Sequence, residues 1–209
     1  MKFKLPKIYP ITDTSISGLS HAKQVVRFIA GGAEIVQLRE KNTSPHEFYD
    51  SAKAAVDIAK QRGIRVIIND RVDIALALKA DGVHLGQDDL PPTEARAFLG
   101  PDAIIGFSTH TIEQVIDALK LPIDYIAFGP IFDTRTKKQP DPTVGLETLR
   151  SVRNIVGDIP LVAIGGITAD NLYSVFNAGA DSAALIGAIL GESENIEGRL
   201  AALIELSKK

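Results

Sequence analysis

The sequence predicts a single-domain α/β protein of the (β/α)₈ (TIM) barrel class, and three observations support that prediction. Short apolar, β-branched runs alternate with longer amphipathic stretches along the 209 residues, and Gly, Asp, Asn or Pro separates them. Eight such runs occur, and most are apolar on both faces, as parallel strands buried under helices must be. An open doubly wound sheet usually has about five or six strands, so eight favour a closed barrel.

The predicted strands each end near a turn residue. They are residues 8–12, 34–39, 65–69, 82–86, 103–108, 124–129, 160–166 and 181–187. Eight helices are predicted between and after them. One is "SPHEFYDSAKAAVDIAKQRG", which starts with Ser-Pro and stops with Gly as capping preferences require. No linker, low-complexity tract or charge block divides residues 1–209, so one domain is expected.

The composition excludes several functional classes. A net charge of −3 gives no strong field toward nucleic acid or an anionic membrane, so neither is expected as a partner. The absence of cysteine excludes disulfides and thiolate chemistry. No stretch approaches the roughly 20 apolar residues of a membrane span, and "MKFKLPKIYPITD" lacks the apolar run of a signal peptide. A cytoplasmic protein that acts on small molecules is expected.

Candidate site residues lie where each strand ends, because a barrel of this class has its active site at the C-terminal ends of the strands. Gln37, Arg39 and Lys41 share one parity on the second strand and face inward, whereas Val36 and Leu38 face the helices. The other strand ends provide Asn69, Asp70, Gln87, Asp88, Asp89, Ser108 and His110. The connection 129–145 is far longer than the usual βα loop of about 2–6 residues and adds Thr134, Thr136, Lys137 and Lys138.

These residues combine two kinds of charge. Cations and amides suit a diphosphate, because Arg offers forked donors and Lys a point charge. The acids would repel the same anion unless a divalent cation lay between them. Mg²⁺ typically takes one or two carboxylates and bridges to phosphates, so Asp70 with either Asp88 or Asp89 is predicted to bind it. In the alternative interpretation, the acids merely cap the helices of "RVDIALALKA" and "PPTEARAFLG".

A second anion site is predicted at the last two strands. Gly165-Gly166 and Gly187-Ala188 stand where barrels of this class often bind phosphate through backbone N–H groups. The alternative is that these glycines only form tight turns. The sequence contains no P-loop, nucleophile-elbow or zinc-protease motif. His84 lies in the middle of the fourth predicted strand and is expected to be an interior hydrogen-bonded residue. Two anion sites and a metal without a protein nucleophile fit displacement of diphosphate by a second, phosphate-bearing substrate.

The motifs "YPITD", "VQLREK", "INDRVDIALALKADGVHLGQDD", "GFSTHT", "DYIAFGPIFDTRTKK" and "VAIGGI" resemble, in order and spacing, those of the thiamine-phosphate synthase (thiamine-phosphate pyrophosphorylase) family. The resemblance covers residues from about 9 to 189. It implies a (β/α)₈ barrel that uses Mg²⁺. The implied reaction joins 4-amino-2-methyl-5-(diphosphooxymethyl)pyrimidine to 4-methyl-5-(2-phosphooxyethyl)thiazole, through a pyrimidinylmethyl cation, and gives thiamine phosphate and diphosphate.

The resemblance also implies roles for individual residues. Mg²⁺ would bind Asp70 and Asp89, the second acid of "GQDD", and Arg39, Lys41, Ser108 and Lys137 would be catalytic. Contacts to the pyrimidine diphosphate fall on Gln37, Leu38, Arg39, Glu40, Lys41, Asn69, Ser108 and Lys137, and contacts to the thiazole phosphate on Thr134, Arg135, Thr136, Gly166, Ile186 and Gly187. Two positions depart from the family pattern, since many relatives have Pro in place of Asp133 and often Ser in place of Gly187.

Three other functions compete with this interpretation. The paralogous thiazole tautomerase shares the barrel and the thiazole-phosphate pocket but has no need of the two acids. An epimerase or isomerase of sugar phosphates would need a positioned acid/base pair, and it would leave the Asn69-Asp70 and Gln87–Asp89 clusters unexplained. A non-catalytic phosphometabolite sensor would bind in the same pockets without turnover.

Overall fold

The computed structural model of the protein describes residues 4–41, 43–134, 141–191 and 193–208. The strands are β1 Ile8–Pro10, β2 Ile35–Leu38, β3 Arg65–Asn69, β4 Gly82–Leu85, β5 Ile104–Thr109, β6 Tyr125–Phe128, β7 Leu161–Ile164 and β8 Ser182–Leu185. All are parallel and form one sheet in the order β1-β8-β7-β6-β5-β4-β3-β2. The sheet and its alternation with helices confirm the predicted barrel class.

The helices connect the strands along the outside of the sheet. They are α1 Thr14–Ser17, α2 His21–Ala30, α3 Pro45–Gln61, α4 Val72–Leu78, α5 Pro92–Leu99, α6 Ile112–Ala118, α7 Gly145–Val156, α8 Leu172–Asn177, α9 Gly187–Leu190 and α10 Ile196–Leu206, with a 3₁₀ turn at Ser193–Asn195. The single-turn helices α1 and α9 are additional to the eight predicted. Among the helices of the described residues, none has the length and apolar character needed to cross a bilayer.

The barrel closes between β1 and β2. The Thr12 backbone N–H donates to the Gln37 carbonyl at 2.8 Å, and Ile11 forms a parallel bridge with Gln37 just beyond the end of β1. On its other side β1 pairs with β8, with Ile8 in register with Ala183. Closure pairs both edges of the sheet and arranges the C-terminal ends of the strands around one opening.

The alternation of side chains along the strands creates two apolar cores. Val36 and Leu38 belong to the large core between the sheet and the helices. Ile35 belongs to a second core inside the barrel, which also contains Tyr9 and Tyr125. Gln37 has the parity of Ile35 and therefore projects into the barrel, as predicted.

Turn residues set the ends of the strands. β7 ends at Ile164, whereas the sequence predicts a strand over 160–166, because Gly165 and Gly166 have positive φ angles of 99° and 62°. Extended backbone cannot continue through such angles, which glycine adopts without steric penalty. The chain therefore turns away directly after β7.

The start of α3 follows its predicted capping signal. The Ser44 Oγ accepts from the Glu47 backbone N–H at 3.3 Å, and the Glu47 carboxylate accepts from the Ser44 N–H at 2.9 Å. This reciprocal pair is a capping box, and Pro45 occupies the first turn, where no N–H partner is needed. The cap fixes where the chain leaves the loop after β2.

Candidate active site

Two carboxylates meet at the C-terminal ends of β3 and β4. Asp70 follows β3 in a left-handed conformation, with φ of 62°, and its backbone N–H donates to the His84 carbonyl at 2.8 Å. Asp89 lies in the turn after β4, and its Oδ2 accepts from the Gly86 N–H at 2.7 Å. Burial raises the pKa of the Asp89 carboxyl, and the adjacent Asp70 carboxyl raises it further, against the effect of the Gly86 hydrogen bond.

Neither acid is the N-cap of the helix that follows it, so the capping interpretation is wrong. The N-cap residues of α4 and α5 are Arg71 and Pro91, and neither helix has a side-chain capping bond there. Asp88 is exposed, whereas Asp89 is partly buried beside Asp70. The structure therefore brings Asp89, and not Asp88, to Asp70.

Both cations predicted after β2 are ion-paired. The Lys41 ammonium contacts the Asp70 carboxylate. The Arg39 guanidinium donates from Nη1 to Oδ2 of Asp13 at 2.6 Å, and both side chains are largely shielded from solvent. Asp13 also accepts from two backbone N–H groups as the N-cap of α1. Lys41 thus lies at the carboxylate pair, and Arg39 is fixed to the end of β1.

The two remaining side chains of the "QLREK" segment have structural surroundings. The Leu38 side chain is fully buried in the core under the helices, so it can offer a ligand only its backbone. Glu40 accepts from the Thr14 hydroxyl at 2.6 Å, and its Oε2 lies 3.6 Å from Nε2 of the buried His21. Glu40 therefore anchors the turn that carries Arg39 and Lys41.

Asn69 and Ser108 contribute neutral polar groups to the inner wall of the barrel. Ser108 on β5 has its Oγ 2.8 Å from Nε2 of His84. Asn69 on β3 is only 6% exposed, and its Nδ2 has no hydrogen-bond partner among the described residues. A buried donor without a partner is unfavourable, so Asn69 is suited to an acceptor atom of a ligand.

The two histidines near the strand ends differ in role. His84 is buried and hydrogen-bonded through both ring nitrogens, as predicted, and burial lowers its pKa to about 4. His110 has its Nδ1 2.6 Å from the Gly129 carbonyl and its Nε2 3.7 Å from the Asp141 carboxylate. His110 therefore ties the end of β5 to both sides of the long loop after β6.

The second predicted anion site is a tightly packed turn. A Cβ added to Gly166 would lie 2.4 Å from the Asp133 carbonyl oxygen, and one added to Gly165 would lie 2.4 Å from the Pro130 Cβ. The loop after β6 thus packs directly on the end of β7. Nearby, α9 begins at Gly187, with Ile186 as its N-cap residue.

The long loop is described only in part. Thr134 is partly buried at the end of its first described segment. The other predicted site residues of this loop, Arg135, Thr136, Lys137 and Lys138, lie outside the described residues.

β1 also contributes to the site, and this contribution was not predicted from the sequence. Asp13, the last residue of "YPITD", follows β1, just as Asp70 follows β3. An acid after a strand could therefore have predicted that Asp13 lies at the site, where it pairs with Arg39. Tyr9 and Tyr125 lie inside the barrel and hydrogen-bond to Gln37 and His84, respectively. No sequence signal separates these tyrosines from ordinary core aromatics.

The donor set suits Mg²⁺ better than a metal that needs an all-protein cage. Among the residues that the structure describes, no three His, Asp or Glu side chains surround a common point. Mg²⁺ typically takes only one or two carboxylates and completes its shell with water and phosphate oxygens. The Asp70–Asp89 pair meets that requirement.

Two concave surfaces of the described structure lie elsewhere. A groove of about 600 Å³ is lined by α2 residues such as Val26 and by Glu197 of α10, and a smaller one of about 220 Å³ includes Lys7 and Glu34 near the opposite end of the barrel. Neither contains a residue of the carboxylate pair. The chemistry of the strand ends, and not the size of a cavity, locates the candidate site.

Comparison with known proteins assigns the chain to a family. The sequence profile described as thiamine monophosphate synthase matches residues 8–189, which include all eight strands and the carboxylate pair. The chain belongs to the thiamine monophosphate synthase family. Membership confirms the resemblance seen in the motifs and identifies the chain as a transferase.

Individual relatives agree with this assignment. The thiamine-phosphate synthase of Syntrophomonas wolfei is 44% identical over 200 residues, which cover 95% of each chain. That of Clostridium novyi is 44% identical over 92% of this chain and 94% of its own. A solved thiamine phosphate pyrophosphorylase from Pyrococcus furiosus has a TM-score of 0.86 at 34% identity, covering 97% of this chain and 95% of that one.

Proposed function

We propose that the chain is a Mg²⁺-dependent thiamine-phosphate synthase of thiamine biosynthesis. It joins 4-amino-2-methyl-5-(diphosphooxymethyl)pyrimidine to 4-methyl-5-(2-phosphooxyethyl)thiazole and releases diphosphate. The observation that carries the proposal is the contact between the Asp70 and Asp89 carboxyls at the strand ends of a family member, with the Lys41 ammonium against Asp70. A diphosphate would be repelled by that pair alone, so a bridging cation has a clear electrostatic role.

Asp70 and Asp89 hold Mg²⁺ in this proposal. Their mutual repulsion, which helps to raise the pKa of Asp89, is relieved when a divalent cation binds between them. Bound Mg²⁺ supplies positive charge that stabilises the diphosphate as it leaves.

The protein side chains bind and orient the two substrates. Lys41, Arg39 and Lys137 provide positive charge for the diphosphate. The Ser108 hydroxyl and the Asn69 Nδ2, which has no partner in the part of the chain that the structure describes, provide neutral hydrogen-bond donors. Further contacts to the pyrimidine diphosphate are proposed for Gln37, Glu40 and the backbone of Leu38, and contacts to the thiazole phosphate for Thr134, Arg135, Thr136, Gly166, Ile186 and Gly187.

The bond changes need little proton transfer from the protein. The bond between the pyrimidinylmethyl carbon and the diphosphate oxygen breaks with its electron pair on the oxygen, and the thiazole nitrogen lone pair forms the new C–N bond. Stabilising the leaving group is therefore the main task. The described strand ends are rich in charge-stabilising groups for that task, as the resemblance to the family implies.

The first experiment measures turnover. The purified chain is mixed with both phosphorylated substrates, with Mg²⁺ or with a chelator, and thiamine phosphate and diphosphate are followed by chromatography. We expect equal amounts of the two products, formed only with Mg²⁺. Turnover that is unaffected by the chelator would contradict the metal assignment.

Variants of the acids test the metal site. Asp70→Asn and Asp89→Asn keep side-chain size but remove charge, and each is expected to lower kcat by about 100-fold or more, equivalent to about 2.7 kcal/mol of lost leaving-group stabilisation. Asp88→Asn is the matched control, because Asp88 is the exposed neighbour, and it should retain activity within about twofold. Equal losses in all three variants would argue for a general effect of charge.

A different outcome would favour the paralogous tautomerase. Isomerisation of a thiazole phosphate without any product from the pyrimidine diphosphate would favour that enzyme. We also propose a cytoplasmic location, which the absence of cysteine supports because a reducing compartment does not favour disulfides.

A further inference from the structure

Five polar side chains form a continuous hydrogen-bonded network across the inside of the barrel. The Gln37 Nε2 donates to the Tyr9 hydroxyl at 3.2 Å, and the Tyr9 and Tyr125 hydroxyls are 3.2 Å apart. The Tyr125 hydroxyl lies 2.9 Å from His84 Nδ1, and His84 Nε2 lies 2.8 Å from Ser108 Oγ. This interior network, defined as Gln37, Tyr9, Tyr125, His84 and Ser108, links two predicted substrate contacts on separate strands.

The barrel is built to accommodate the middle of the network. Tyr9 and Tyr125 are at most 1% exposed, and the Tyr125 ring stacks on the His84 ring at a centroid distance of 5.5 Å. A Cβ at Gly106 would lie 2.0 Å from Cζ of Tyr125, so only glycine leaves room for this ring on the neighbouring strand. Gly106 does not have a positive φ, so space and not backbone conformation explains its presence.

One assignment of the hydrogens runs in a single direction from Gln37 to Ser108 and satisfies every bond of the network. Each hydroxyl has one hydrogen, and a neutral imidazole has one N–H donor and one acceptor nitrogen. Tyr9 accepts from Gln37 and is therefore free to donate to Tyr125, which in turn donates to His84 Nδ1. The remaining hydrogen of His84 is then on Nε2 and is donated to Ser108. Since the Ser108 oxygen already accepts, its own hydrogen is left to donate elsewhere.

We propose that Tyr9 and Tyr125 are positioning residues, which act through the Nε2–H tautomer of His84 to keep the Ser108 hydroxyl a hydrogen-bond donor to the pyrimidine diphosphate substrate. The choice of this ligand rests on the proposed function. The distances allow either direction of donation, and the tautomer of His84 distinguishes the two.

Burial keeps the network members in the protonation states that this direction requires. The buried position of the His84 ring between the Tyr125 and Ser108 hydroxyls favours the neutral ring. Burial also raises the pKa of both Tyr9 and Tyr125, which keeps the two hydroxyls protonated. Fixed hydroxyl orientation at the site avoids reorganisation when substrate binds.

The alternative is a purely structural network that satisfies buried groups in either direction. Nitrogen-15 NMR of histidine-labelled protein separates the two, because it reports which ring nitrogen carries the hydrogen. The His84 signals are identified by their loss in His84→Gln. We expect the Nε2–H tautomer in the unmodified protein and a mixture of tautomers in Tyr125→Phe, in which Nδ1 has lost its donor. The Nδ1–H tautomer in the unmodified protein would overturn the proposal.

Kinetics test whether Tyr125 acts through Ser108. Ser108→Ala is expected to lower kcat/KM for the pyrimidine diphosphate roughly 10- to 100-fold, the range for a hydrogen bond to a charged group. Tyr125→Phe should lower it about 3- to 10-fold with KM for the thiazole phosphate unchanged. In the double variant, Tyr125→Phe should add nothing to the loss from Ser108→Ala. Fully additive losses would contradict action through Ser108.

Further variants distinguish a loss of positioning from a loss of folding, and they test the network independently of the proposed reaction. Tyr173→Phe removes a hydroxyl from an exposed ring on α8 and should leave both the spectrum and the kinetics unchanged. If Tyr125→Phe does not fold, Tyr9→Phe provides the test, because it removes the group that orients Tyr125 and should also give mixed tautomers. If the unmodified protein does not form thiamine phosphate, both the proposed function and the pyrimidine diphosphate as ligand of Ser108 are overturned. The NMR spectrum would still decide the direction of hydrogen donation in the network.

Normal turnover in Tyr125→Phe would overturn the positioning role of Tyr125 and leave the proposed function intact.

Discussion

At the scale of single residues, unfavourable features are concentrated at the ends of β3 and β4. Asp70 is a non-glycine residue with positive φ, Asn69 has a buried unpartnered donor among the described residues, and Asp89 has a raised pKa beside another carboxyl. The positive φ and the unpartnered donor each cost of order 1–3 kcal/mol in a folded protein. Such features persist at sites that bind a ligand, because the ligand restores the missing charge or hydrogen bond.

His84 makes a prediction about acid stability. Burial depresses its pKa from the ordinary 6.5 to about 4. Between those pH values the unfolded chain binds a proton that the folded chain does not, so the free energy of unfolding falls as the pH decreases through this window. The contribution of His84 is on the order of 3 kcal/mol, and it is fully present above pH 6.5.

Urea unfolding between pH 7 and pH 4 would measure this effect. His84→Gln should show a shallower loss of stability over that range than the unmodified protein. His46→Gln should retain the full loss, because the His46 side chain is 84% exposed. Identical pH slopes for the unmodified protein and His84→Gln would contradict the assignment.

At the scale of structural elements, the end of β7 and the loop after β6 form one packed unit. Gly166 has φ of 62° and leaves no space for a Cβ beside the Asp133 carbonyl. Gly63, after α3, has φ of 68°, but a Cβ there would meet nothing within 4 Å. The two glycines share a conformation and differ in crowding, so they form a matched pair.

We expect Gly166→Ala to destabilise the protein more than Gly63→Ala. Both variants pay about 1 kcal/mol or more for a left-handed alanine, but only Gly166→Ala also forces backbone away, at roughly 1–3 kcal/mol more. Gly166→Ala should also raise KM for the thiazole phosphate. Denaturation midpoints and substrate titrations measure both effects, and equal destabilisation by the two variants would show that the contact with Asp133 is easily relaxed.

The capping box of α3 gives a second prediction at this scale. Ser44→Ala removes the acceptor for the Glu47 N–H and should lower the free energy of unfolding by about 1 kcal/mol. Thr43→Ala alters the exposed residue next to it and serves as the control. Chemical denaturation of both variants measures the difference, and a Thr43→Ala loss as large as that of Ser44→Ala would argue against the cap.

At the scale of the whole molecule, closure of the barrel is what assembles the site. The seam between β1 and β2 consists of the Ile11–Gln37 bridge, the Thr12 hydrogen bond and the Asp13–Arg39 ion pair beyond it. The same ion pair fixes a cation that the sequence predicts for substrate binding. Closing the sheet and orienting Arg39 are therefore one structural event.

Ligand binding should stabilise the whole molecule cooperatively. Mg²⁺ and inorganic diphosphate together should raise Tm by more than the sum of their separate effects, because Mg²⁺ removes the repulsion that diphosphate meets at Asp70 and Asp89, and diphosphate oxygens provide further ligands for Mg²⁺. A ligand at 100 times its Kd adds about 2.7 kcal/mol, which is about 5–10 °C for a chain of this size.

Thermal unfolding with each ligand alone and with both measures this coupling. Asp70→Asn should lose the excess shift, whereas Asp88→Asn should keep it. Simple additivity in the unmodified protein would argue against a shared metal–diphosphate site.

The sequence by itself determined the architecture and the region of the site. The alternation of apolar runs predicts eight parallel strands, and the period of two along β2 places Gln37 inside the barrel and Leu38 under the helices. Both results depend on local periodicity, which covalent geometry fixes wherever a strand forms. Strand bounds were less accurate, since single turn residues such as Gly165 set them.

Only the tertiary structure decided which residues meet. Three contacts join different strands: Asp70 with Asp89, a choice that the residue pattern left open and only the resemblance implied, Arg39 with Asp13, and Tyr125 with His84. These contacts depend on the register between strands and on turn conformations such as the positive φ of Asp70. Distances between residues far apart in the chain follow from how the sheet closes, and no local pattern in the sequence encodes them.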